Sequence, residues 1–418
     1  MPSTIQNETL LRKVQIGKET TIGTAVTPTA KMGGVLNVTQ DRPLVDKPAR
    51  DGTYGVARNP KFGNRTFGGT YEDELSFEDW AILLQYGVAV APAGVSDGQT
   101  TPRYLYDYKP GQGLISSFSA EEGVDGLLKK SAGLQFNDFT ISMDIDDSDG
   151  NWKFSGNLLP VSHSLTLPVV AATNATGGSV STVVKTGAAW TINAYQGGYV
   201  KMLTGTTGNI GEIRQIASND ATTLTLATPF PSAVANADTF EIFPLFTSLS
   251  GRDVDYIQNE GTQIIIGSNV AALATASNEI KDKLIKFSVT YDNQFVLKKF
   301  ANNVGVYSAK RGRKKRMISG VFTMEFDDPG QKRIWEQTNP PGQALRFQQI
   351  LGPQVNASPA TYKTATITVP KFYYDKIDDS GDRNGNMTAD YQWKAYADVS
   401  AGYDISYAGN NQHATRPA

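Results

Sequence analysis

Apolar and polar side chains alternate with a period of two through much of this chain, and no long stretch carries a helical period. That pattern is what most constrains its fold. FTISMDI places Phe139, Ile141, Met143 and Ile145 on one face and Thr140, Ser142 and Asp144 on the other. IKFSVTYDN does the same with Ile285, Phe287, Val289 and Tyr291. Helical spacing is confined to short pieces. Phe77, Trp80, Ala81 and Leu84 follow it, with Ser76 as cap, Asp79 three residues on and Gly87 at the end, which predicts a helix of about three turns. The fold class is therefore mainly β.

The features recur in order. YGVARNPKFGNRTFGGTYEDELSFEDWAILLQ and YSAKRGRKKRMISGVFTMEFDDPGQKRIWEQT both run tyrosine, basic loop, glycine, strand and capped short helix. In the second, Asp328 is the expected N-cap and Pro329 the first helical residue. Trp335 answers Trp80, and both are expected as buried anchors of their helices. IDDSDGNWKF and IDDSGDRNGNMTADYQWKAY then read as matching hairpins, each with Ile-Asp-Asp-Ser before a tryptophan. The chain reads as two tandem β-sandwich domains, each with one short helix. The first covers 1–166 with an extended N-terminal arm, and the second covers 246–418. Between them, 167–245 is rich in Gly, Ser, Thr and Ala and reads as a small inserted β module.

Most site chemistry is excluded by composition. There is no cysteine, which excludes thiolate sites, and the only histidines are His163 and His413, which leaves a histidine zinc site or a Ser/His/Asp triad nearly impossible to build. Counting Gly385 as the sixth position of a calcium loop puts Ser380 first and Tyr391 twelfth, which fails. GTTGNIGE has no Lys-Ser/Thr to make it a phosphate loop. Adjacent Asp146 and Asp147 do not face each other across a cleft. No enzyme and no cofactor are expected. Net charge is −2, so charged partners must be met by local patches. The strongest patch is KRGRKKR, Lys310 to Arg316, which reads as a solvated loop tip, a contact to acidic turns of a neighbouring subunit, or a phosphate-binding arm. No apolar run reaches the ~20 residues of a spanning helix, and MPSTIQNETLLRKVQIGKETT has no apolar core, so synthesis and folding in a cytosol are expected.

Several of these segments resemble one family, the tail tube (major tail) proteins of long, flexible-tailed bacteriophages (siphophages). GKETTIGTAVTPT resembles its N-terminal opening, LISSFSAEEGVDGLLKKSAGLQFNDFTISMD its strand pair, and the strand-plus-helix unit is present twice. GNIGEIRQIASNDATTLTLATPFPSAVANADTFEI is similar to a small β module inserted in phage virion proteins. The resemblance implies β-sandwich subunits that close into rings and stack into a tube through which phage DNA passes without sequence-specific binding. It also implies partners: other copies of the chain, a tape measure protein, a tail terminator and a distal tail protein. The place implied is the virion tail, assembled in the bacterial host cytoplasm.

With two tube domains per chain, a trimeric ring of pseudo-sixfold symmetry is expected over a hexamer. The channel is expected to be neutral to acidic and the module to lie outside. Acidic turns at Asp146, Asp147, Asp378 and Asp379 are expected to meet basic loops of the next ring, at Arg58, Lys61 and Arg65 and at Lys310, Arg311, Arg313, Lys314, Lys315 and Arg316. A surface adhesin or carbohydrate-binding β protein is the alternative, and it would carry exposed aromatic clusters.

Overall fold

The computed structural model describes residues 12–45, 61–62, 65–89, 94–99, 101–111, 115–124, 127–165, 169–243, 246, 249, 254–281, 283–298, 311–327, 329–357 and 360–411. It is mainly β and antiparallel. The first half contributes β1 (Lys13–Lys18), β2 (Ala30–Met32), β3 (Val35–Asp41), β4 (Thr66–Glu74), α1 (Phe77–Gly87), β5 (Tyr104–Tyr108), β6 (Phe118–Val124), β7 (Leu127–Leu134), β8 (Phe136–Asp144), β9 (Lys153–Leu158) and β10 (Ser162–Leu165). One sheet has the order β10-β7-β6-β1-β2, and the strands β3-β4-β9-β8 lie side by side in another.

The second half contributes β11 (Thr262–Gly267), β12 (Glu279–Ile280), β13 (Leu284–Asp292), β14 (Met317–Glu325), α2 (Gly330–Trp335), β15 (Gln343–Gln349), β16 (Ala365–Arg383), β17 (Asn386–Ala395) and β18 (Ser406–Asn411). Its pairings are β18-β16-β15-β11-β12 and β13-β14-β17-β16. Strand for strand, this is the succession of the first half. The difference lies in β16, whose 19 residues run from one layer into the other, where the first half breaks at Gln135 between β7 and β8. Pro370 falls at a register shift of β16 against β15, where the ladder can spare its missing donor.

Register fixes which residues correspond. Leu36 lies opposite Tyr71 and Val38 opposite Gly69, while Phe287 lies opposite Phe322 and Val289 opposite Gly320. VLNVTQD of β3 thus overlays KFSVTYD of β13. The two Ile-Asp-Asp-Ser segments do not overlay. Ile145–Ser148 lies in the turn after β8, with Ile145 49% exposed, whereas Ile377–Ser380 lies inside β16 with Ile377 buried. The second hairpin turns instead at Asn384-Gly385, both at positive φ (53° and 88°), the conformation that a two-residue Asn-Gly hairpin turn requires. The shared tetrapeptide is a coincidence of composition, and Ile145 leaves the buried face because its strand has already ended.

One buried apolar cluster runs through both halves, from Val14 and Ile16 to Ile405 and Tyr407. Phe287 on β13 and Phe347 on β15 stack 4.3 Å apart between the layers. Of residues 1–50, expected to be an extended arm, the described residues 12–45 supply three strands to the two sheets. The inserted segment has seven strands between Val170 and Phe243, in one sheet around its own core of Val183, Val200, Ile216, Leu224, Phe240 and Ile242.

The helices differ. All eleven residues of α1 are buried, and the Ser76 hydroxyl accepts the Asp79 amide at 3.0 Å as the expected cap. No residue of α2 is buried. Asp328 lies outside the described residues, and Pro329 stands at the N-cap position with no side-chain cap. Trp80 is the anchor foreseen, but Trp335 is only partly buried against the edge of the core. The reason is what packs over each helix.

Candidate assembly interface between the repeats

The halves are joined edge to edge. β8 pairs antiparallel with β13 from Asp138 opposite Asp292 to Asp144 opposite Lys286, so one sheet continues across the seam. On the core face Phe139 and Tyr291 stack at 5.2 Å, Ile141 meets Val289, and Met143 meets Phe287. On the other face the Thr140 and Thr290 hydroxyls are 2.9 Å apart. Asparagines clamp the ends. The Asn293 side chain donates to the carbonyls of Gly87 and Phe136 at 2.7 and 3.0 Å, and that of Asn259 donates to the Asp144 carbonyl at 2.7 Å.

Helix α1 lies beneath this seam. Trp80 packs against Trp152 of its own half and Tyr407 of the other, at 6.0 and 6.1 Å. Gly87 approaches the sheet so closely that a Cβ there would stand 2.8 Å from the Phe139 ring. Lys363, 5% exposed at its side chain, donates to Glu78 of α1 at 2.6 Å and to Asp255. Removing Lys363 or Glu78, the two buried members, costs about 3–5 kcal/mol. Strand β5, from the long connection after α1, pairs with the edge strand β18, and the Tyr108 hydroxyl donates to the Ala81 carbonyl at 2.6 Å. The first half therefore clasps the second. The second half has no equivalent clasp, because only 336–342 separate α2 from β15.

The face of the seam sheet turned from the core is polar. Charged positions that the register sets on it include Asp41, Glu72, Glu74, Asp138, Asp144, Asp292, Glu325, Asp378 and Asp390 against Lys153, Lys286, Lys376, Arg383 and Lys394. Carboxylates outnumber cations on this face, so its local charge is negative.

The acidic residues singled out from the sequence have partners within the chain. Asp146 pairs with Arg383 at 2.5 Å across the halves, Asp147 with Lys153, Asp378 with Lys376 at 3.1 Å, and Asp379 with Lys332. The Ser380 hydroxyl and then Lys376 hold the Asp378 carboxyl down at about 2. Lys153 and Lys332 likewise lower Asp147 and Asp379.

The basic loop divides. Arg316 grips Asp404 at 2.7 Å, and Arg313 donates to Asn293 and lies over the Phe295 ring at 5.3 Å. Lys314 and Lys315 are exposed. Arg65 is exposed too, and Lys61 pairs through its backbone with Val45. Arg58 and Lys310, with the side chains of Lys61 and Arg311, lie outside the described residues.

A residue that sequence reasoning passed over explains GKETTIG. The buried Glu19 carboxylate accepts from the amides of Gly23 and Gly133 and from the hydroxyls of Ser117 and Ser119, all within 2.8 Å. It pins the loop after β1 onto β6 and β7. Its signal was present in the sequence, since an acid amid short polar residues in an otherwise apolar sheet must find donors.

Among the described residues no three His, Cys, Asp or Glu gather as metal ligands, and no helix is long and apolar enough to cross a membrane. No family model matches the chain, and a search of curated proteins finds no match.

Proposed function

We propose that this chain is a structural protein that closes into rings, and that the rings stack into the tube of a bacteriophage tail through which DNA leaves. The supporting observation is the seam. A four-strand unit is present twice and its copies are joined edge to edge in one sheet; the eight-strand run ends at β3, which pairs only with β4, and at the part of β16 beyond Phe372, which pairs only with β17 among the described residues. Such edges are a liability in a lone molecule and an assembly device among many.

Duplication makes one joint in every two covalent, so three chains supply six units and fewer encounters close the ring. The polar face of the sheet is the channel wall in this reading. Its carboxylate excess leaves DNA phosphates unheld, whereas a basic wall would retain them through released counterions. The inserted module, with its own core, is placed on the outside.

Electron microscopy of the concentrated protein tests this. Hollow tubes with threefold symmetry that looks sixfold at low resolution are expected. A protein that stays monomeric at millimolar concentration rejects the reading.

A further inference from the structure

The internal seam is a template for a contact between molecules. β8 of the first unit corresponds to the second part of β16, and β13 corresponds to β3. In the chain β8 and β13 are partners. β3 pairs on one side, with β4, and Val35 on it is 54% exposed. Beyond Phe372, β16 pairs only with β17 among the described residues.

We propose that Lys376–Arg383 of β16 pairs antiparallel with Val35–Asp41 of a second copy, in the register of the seam. Asp378 then stands opposite Thr39, as Thr140 stands opposite Thr290, and Lys376 stands opposite Asp41. This rests on the ring reading and gives it residues.

Two observations favour a second copy in this arrangement. The first is charge. The internal seam sets Asp138 against Asp292, but the corresponding pair between copies is Lys376 with Asp41, opposite in sign. Partners of unlike sequence and sign favour the head-to-tail contact over β3 pairing with β3. The second is the helix. α1 is wholly buried because β18 of the other unit covers it, with Tyr407 on Trp80. α2 touches β16, through Lys332 on Asp379 and Gln331 on the Tyr374 hydroxyl, and has no buried residue. The strand equivalent to β18 is β10, and only a second copy can bring β10 over α2. One docking event completes both the sheet edge and the cover of Trp335.

The chain has no cysteine, so an engineered pair reads the register directly. Thr39→Cys with Asp378→Cys, in the full chain under oxidising conditions, is expected to give a disulfide ladder on a non-reducing gel that ends at three chains. Asp41→Cys with Asp378→Cys, two positions out of register, is expected to cross-link at least tenfold less. Separately, Lys376→Glu should raise the concentration needed for assembly about tenfold, and adding Asp41→Lys should restore it. Rings or tubes in the microscope with equal cross-linking by both pairs, or by neither, overturn this register and leave the ring reading standing. A wild-type chain that never assembles overturns both.

Discussion

Phe139 and Tyr291 stack across the seam with ring centroids 5.2 Å apart and planes 24° from parallel, so an aromatic pair ties each half of the chain to the other. Both rings are buried. Phe139→Ala removes the stack and leaves a cavity between the seam and α1, at a cost of about 3–5 kcal/mol. Because one core spans both repeats, urea unfolding followed by tryptophan fluorescence should show the two halves melting together in wild type and variant alike. Separate transitions for the halves would mean the seam is energetically idle.

The two helix tryptophans should respond unequally. Trp80→Ala is expected to destabilise the free chain by about 3–5 kcal/mol, since the side chain is 2% exposed. Trp335→Ala should cost about 1 kcal/mol or less in the free chain, where α2 is partly open to solvent. Its larger effect should fall on assembly, measured by light scattering. Equal losses in the free chain would show that α2 is already covered.

Alkaline pH should loosen the seam. Burial pushes the Tyr291 hydroxyl up to about 12, against the opposing pull of Arg316 and Arg313. The folded value lies above the unfolded one, so the neutral phenol stabilises the fold fully below about pH 10. That contribution is lost as pH rises through about 12. Tyr291→Phe removes the titrating group. Between pH 8 and pH 11 the urea midpoint of the wild type should fall further than that of the variant if this group carries the loss. Parallel pH profiles would assign the loss to other groups.

Stacking between rings should depend on Lys314 and Lys315. Arg313 and Arg316 are engaged with Asn293 and Asp404, so reversing them damages the loop itself. Reversing Lys314 and Lys315 to glutamate spares those contacts. The expected outcome is intact rings whose growth into tubes is slowed several-fold at low salt, with the difference shrinking at high salt as the charges are screened. Normal tube growth at low salt would remove this loop from the stacking contact.

What was legible in the sequence was periodicity. The alternation of Phe139, Ile141 and Met143 and of Phe287, Val289 and Tyr291 gave strands with the correct faces, because burial on one side of a sheet leaves that trace. The Ser76 cap was legible for the same local reason. Register was less so. Ile-Asp-Asp-Ser looked like the duplicated element, while the true correspondence, VTQD with VTYD, lay in strands where only Val, Thr and Asp are shared. A pairing register depends on which strands neighbour each other, and short identities do not encode that. The ion set of Glu78, Asp255 and Lys363 left no trace either, since its members are remote in the chain and meet only through the fold. Trp335 resembled Trp80 in sequence context, but burial is set by what packs above a helix.

The β5 clasp has a mechanical consequence. Inside the chain, the joint between units is held by shared backbone, a common core and a strand that pairs with the edge of the other half. A joint between chains would have sheet pairing and helix contact with no strap. A ring made of such chains therefore alternates stiff and compliant corners, and a tube of them would bend or part at every second corner.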